Sequence, residues 1–142
     1  MEVLVQHRGN VQFEAVARGH RVICDQPFDN GGADAGMTPP EFLLTSLGTC
    51  AGFYAAKYLE TRKLSAAGLQ VRVSAEKSAA PARISKFKIE VIIPDLAPDH
   101  EAGVQRAVKA CLIHNTLLNA PAIETLVSSA HSVGNTDFSL CL

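Results

Sequence analysis

The chain is predicted to be α+β, with antiparallel sheets and two main helices, and three observations predict it. Short apolar-polar alternations fill residues 2–25 and 69–93, two segments starting near Pro39 and Pro98 carry apolar residues at helical spacing, and turn formers gather between these stretches. With 142 residues, 47% hydrophobic and 19% charged, one domain spanning 1–142 can bury a core of its own.

The strands come first. Residues 2–7, 11–17 and 21–25 read as a small antiparallel meander, joined by Arg8-Gly9-Asn10 and Arg18-Gly19-His20 as tight turns. Residues 26–37 hold Pro27, Asp29, Asn30, Gly31, Gly32, Asp34 and Gly36, too many turn formers for a regular element, so a mobile loop is expected. Asp29 and Asp34 lack the spacing and terminal Glu of a calcium loop.

Thr38-Pro39-Pro40-Glu41 fits a capping box, with proline at the first helical position where no donor is needed. The helix should run over about residues 39–62. Leu43, Leu47, Cys50, Tyr54 and Tyr58 form one stripe, and Leu44, Ala51, Ala55 and Leu59 an adjoining one. A helix apolar on so much of its circumference is central or covered by a second subunit.

Residues 69–76 and 84–93 are the next strands. Val71 and Val73 share a face, as do Phe87, Ile89, Val91 and Ile93, with Lys86, Lys88 and Glu90 toward solvent. Pro98-Asp99 opens a second helix whose stripe is Val104, Ala107, Val108, Cys111 and Leu112, which points Cys111 inward. Residues 113–119 extend that helix or form a separate turn, ended by Pro121. A last strand is expected over 122–128 and an irregular tail over 129–142.

Thirteen basic and fourteen acidic residues leave a net charge of −1, without the basic excess of a nucleic-acid binder or a membrane-surface protein. The amino terminus lacks the charged start and apolar run of a signal peptide, so a cytoplasmic protein is expected. The uncharged run 42–56 falls short of the roughly twenty apolar residues that cross a bilayer. Cys24, Cys50, Cys111 and Cys141 are scattered without a CxxC, so neither a disulfide framework nor a dense zinc site is expected.

Two stretches carry a family likeness: Gly36-Met37-Thr38-Pro39-Pro40-Glu41-Phe42-Leu43-Leu44 leading to Leu47-Gly48-Thr49-Cys50, and Ala107-Val108-Lys109-Ala110-Cys111-Leu112-Ile113-His114-Asn115-Thr116-Leu117. The chain resembles the OsmC/Ohr family of small bacterial thiol-dependent proteins over nearly its whole length. The second stretch is more similar to the broad OsmC-like branch than to the organic hydroperoxide resistance enzymes, in which a proline typically follows the cysteine.

The resemblance implies an intertwined homodimer with central helices between antiparallel sheets and sites at the subunit interface. It further implies a peroxidase chemistry in oxidative stress defence. Cys50 would be peroxidatic and Cys111 resolving, with a small-molecule peroxide as substrate, a dithiol reductant that is often lipoyl-linked, and neither cofactor nor metal.

That chemistry needs a thiolate, and an unperturbed thiol with a pKa of about 8.5 is mostly protonated at neutral pH. The helix dipole fades within the first turn, and Cys50 lies about three turns in. The family supplies an arginine from the amino-terminal part, held by a glutamate near the start of the first helix. Arg8 is the closest positional match, with Arg18 and Arg21 as rivals, and Glu41 is the candidate glutamate. Counted back from Cys50, however, the family's glutamate falls on Pro40, and Glu41 is rotated from that position by about 100°.

His114 is left unassigned, and Cys24 and Cys141 are expected to pack or lie exposed. The alternative is a non-catalytic member of the fold that binds a small hydrophobic ligand at the dimer interface and keeps both cysteines as packing residues.

Overall fold

The computed structural model describes residues 1–129. Of the irregular tail expected over 129–142, everything beyond Ser129, with Cys141, lies outside the described residues.

Strands β1 (Leu4–Gly9), β2 (Gln12–Ala17) and β3 (His20–Cys24) form an antiparallel meander in that order. The β1–β2 register shifts between His7 and Gly9, a bulge that takes Arg8 out of the ladder. Asn10 and Arg18 adopt positive φ in the two turns.

Helix α1 (Pro39–Thr61) begins at Thr38 with the expected capping box and Pro39 at its first position. Its buried line is Leu47, Ala51, Ala55 and Leu59, while Cys50, Tyr54 and Tyr58 flank that line half-buried. Strands β4 (Gln70–Ala79) and β5 (Ala82–Ile92) pair antiparallel over their full length, with Val71 opposite Val91 and Val73 opposite Ile89. Val71, Ile89 and Val91, with Leu69, Ile93 and Leu96, pack on Ala51 and Ala55 of α1 and on Val104 and Val108 of helix α2 (Pro98–Lys109). The outer face of the hairpin carries Lys86–Glu76, Lys88–Glu90 and Arg72–Glu90 ion pairs, as strand alternation requires.

Among the described residues the class is α+β with two antiparallel sheets, but the expected arrangement changes in several respects. There are three α-helices among these residues rather than two main ones, because α3 (Leu112–Leu118) stands apart from α2. The amides of Ala110 and Cys111 bond back to the carbonyls of Ala107 and Val108, tightening the last turn of α2, and Cys111 then turns extended at φ −58, ψ 132. Cys111 therefore caps α3 instead of riding the α2 stripe, and Leu112 is exposed.

Nor is the expected intertwined homodimer seen. The structure is of one chain, whose two sheets each pair within themselves and do not close on one another. The strand expected over residues 122–128 is absent as well. Ile123, Leu126 and Val127 lie exposed, and no strand of either sheet pairs with them.

The loop over residues 26–37 is ordered around a buried carboxylate, Asp25, and contains a single 3-10 turn at Phe28–Asn30. No helix among the described residues is long and apolar enough to cross a membrane.

Candidate thiol site

Helix α1 presents Cys50 half-buried, beside the packed line of Leu47 and Ala51. The extended turn between α2 and α3 sends the Cys111 side chain inward, where it is fully buried. Both are free thiols, and Cys50 lies near enough to Cys111 to raise its pKa. Two cysteines distant in sequence are thus brought together by the packing of α3 and α2 on α1.

The two sulfurs differ in environment. Burial pushes the Cys111 thiol above its ordinary pKa, and the neighbouring Cys50 sulfur raises it further. The backbone N–H groups of His114 and Ile113 pull the other way without closing a full capping bond. Cys111 is consequently protonated at neutral pH, and Cys50 is the thiol with access to solvent.

Glu41 is occupied by the helix start. Its Oε2 accepts from the Thr38 amide at 2.7 Å and from the Thr38 hydroxyl at 2.8 Å. Those two bonds, the amide first, hold its carboxyl below the usual range, and the Lys77 charge on β4 adds to the effect. Arg8 lies exposed in the β1 bulge, and Arg18 lies exposed in the β2–β3 turn. Arg21 is engaged by Glu14 at 3.0 Å. No strand of the first sheet packs extensively against α1 in this chain. The fold therefore brings Cys50 and Cys111 together, but leaves Arg8 and Glu41 on separate elements with no bond between them.

The sequence reading gave no role to two residues. His114 carries a buried Nδ1 with no hydrogen-bond partner and lines a groove of about 880 Å³ with Phe87, Ile89, Val91, Val104 and Val108. Asp25 is almost wholly buried at the end of β3. The available signal for Asp25 was an aspartate at a strand end before a Gly- and Ala-rich loop, a position from which a carboxylate commonly caps nearby amides. Cys24, beside it, is half-buried, and burial raises its pKa.

An antiparallel meander, a long capped helix, a hairpin and a pair of facing thiols define a small α+β thiol protein. The family model of OsmC-like proteins matches residues 31–126, and the chain belongs to that family. Among solved structures it is similar to a Psychrobacter arcticus 273-4 protein named for an osmotic stress and detoxification response, with a TM-score of 0.74 at 21% identity over 80% of this chain and 85% of that one. An OsmC-like protein from Mycoplasma pneumoniae gives 0.72 at 17% identity over 84% and 87%. An organic hydroperoxide resistance protein from Elizabethkingia anophelis gives 0.63 at 13% identity over 84% and 90%. No curated protein matches the chain.

Proposed function

We propose that this protein is a thiol-dependent hydroperoxide reductase acting in oxidative stress defence, with Cys50 as the attacking thiol and Cys111 as the resolving one. The observation that carries the reading is the meeting of a half-exposed thiol with a buried, proton-holding thiol across α1 and α3. The Cys50 thiolate attacks the distal oxygen of a hydroperoxide, the O–O bond breaks, and the alkoxide takes a proton and leaves as an alcohol. Cys50 is then a sulfenic acid. Cys111 attacks that sulfur, an S–S bond replaces the S–O bond, and water departs with the Cys111 proton. A small-molecule dithiol, lipoyl-linked in the family's manner, returns two electrons and two protons.

The cation that favours the Cys50 thiolate comes from the first sheet in this reading, with Arg8 as the candidate because the bulge frees it from the ladder. Glu41 acts by fixing the start of α1 and not as a clamp on that arginine. The working form is a homodimer, in which a second copy covers apolar surface that one chain leaves open. The cytoplasm, where thiols are kept reduced, is its compartment.

A second reading rests on the groove between β5 and α2, whose apolar wall suits a small hydrophobic ligand at the dimer interface. Thiol counting separates the two. One equivalent of cumene hydroperoxide should remove two thiols from the reduced wild type, none from Cys50→Ser, and leave a trappable sulfenic acid in Cys111→Ser. Unchanged thiols in the wild type, with no peroxide consumed, would leave only ligand binding.

A further inference from the structure

The segment between β3 and α1 is built on one carboxylate. Asp25 is 1% exposed. Its Oδ1 accepts from the Gln26 amide at 2.8 Å, and its Oδ2 from the amides of Ala33 and Ala35, both at 3.1 Å, and from Gln12 Nε2 at 3.4 Å. All four donors are neutral, and no ion pair reaches this carboxylate among the described residues. The loop closes so tightly that a Cβ on Gly32 would collide with the Gln26 carbonyl, and one on Gly36 with that of Ile23. Removing the acceptor would leave several amides unpaired in a space that cannot relax.

This rigid piece grips both neighbours. Asn10, two residues beyond Arg8, donates through Nδ2 to the Gly31 carbonyl, and His7 Nε2 bonds the Asn10 carbonyl at 2.8 Å. At the other end the Asp25 amide donates to Met37 at 3.3 Å, one residue before the cap of α1, and the Thr45 hydroxyl meets Met37 Sδ at 3.5 Å. Because the first sheet does not pack extensively on α1, these bonds set where its arginines stand relative to the start of the Cys50 helix.

We propose that Asp25 is a positioning residue for the thiol chemistry: it locks the loop that holds the Arg8 turn and the first turn of α1 in one frame. The inference rests on the peroxidase reading above, with the meander of one copy serving the Cys50 of a second. A misplaced frame moves the cation away from where the Cys50 thiolate forms. The thiolate then forms at higher pH, although Asp25 touches neither sulfur nor peroxide.

The test uses full-length protein shown to be folded by circular dichroism. Asp25→Asn keeps the shape but places an NH2 where one carboxylate oxygen accepted. The pH midpoint for alkylation of Cys50 by iodoacetamide, read by mass spectrometry, should rise by about one unit, and cumene hydroperoxide should oxidise the thiols about tenfold more slowly. Asn10→Gly tolerates the positive φ and severs only the tie to Gly31, so it should shift the midpoint in the same direction by less.

A folded Asp25→Asn with the wild-type midpoint and rate overturns the inference. Where Asp25→Asn does not fold, Asn10→Gly decides, and an unmoved midpoint is again fatal. Wild-type protein that consumes no peroxide sinks the peroxidase reading instead, while the alkylation midpoint still reports on Asp25.

Discussion

Cys111 shows how one residue's surroundings fix its part. Its thiol is buried and faces another sulfur, so the charged form is disfavoured and its pKa lies above the ordinary thiol value. A group whose folded pKa is raised contributes stability that is fully present below the unfolded value, about 8.5 for cysteine, and is lost as pH rises through the folded value. Urea unfolding should therefore show the wild type losing its advantage over Cys111→Ala between neutral pH and the far side of that range. A gap independent of pH would mean that the thiol is not held protonated. The sequence made the pair legible because both cysteines fell on inward apolar positions. It concealed the setting of Cys111, because Ala110-Cys111-Leu112 contains neither proline nor glycine to announce that a helix stops there and another begins. It also concealed Asp25, whose importance lies in amides up to ten residues away that no spacing rule connects.

Among the elements, those with strong local signals came out where the sequence put them. Thr38-Pro39-Pro40-Glu41 starts α1, and the alternation of Val71, Val73, Ile89 and Val91 becomes the inward face of the hairpin. The contact between α1 and α2 had no such signal. Tyr58 reaches across to His100, Oη to Nδ1 at 3.2 Å, with the Arg62 guanidinium 4.0 Å above its ring, and Gly103 supplies the notch that admits the phenol. A Cβ on Gly103 would collide with the Tyr58 ring and hydroxyl, both pinned by these neighbours. Gly103→Ala should thus cost about 1–3 kcal/mol by overpacking. Tyr58→Phe, which loses only the bond to His100, should cost about 0.5–1.5 kcal/mol. Urea midpoints measure both, and a Gly103→Ala protein as stable as wild type would show that the helices part without penalty. The strand expected over 122–128 failed for an elementary reason. A strand needs a partner, and neither sheet of the chain pairs with this segment.

Across the whole molecule, the mixture of antiparallel strands and helices was legible from periodicity, whereas the association of chains was not, because amphipathic patterning specifies that a face is covered and not what covers it. The apolar residues left open are distributed in a telling way. Val3, Leu4 and Val5 at the outer edge of the meander, Phe53 on α1, and Ile123, Leu126 and Val127 after α3 are each more than half exposed. A small protein that works alone rarely leaves this much apolar surface on several elements at once. The surfaces also lie on the parts that pack least within the chain, the first sheet and the segment beyond α3, so a second copy is the economical cover for them. Sedimentation at tens of micromolar should therefore report a dimer, and Phe53→Glu or Leu4→Glu should shift it toward monomer by placing a charge in the contact. A wild type that sediments as a monomer at that concentration while reducing hydroperoxide at full rate would remove the second copy from the mechanism. Arg8 would then have to reach the Cys50 of its own chain by a movement of the first sheet.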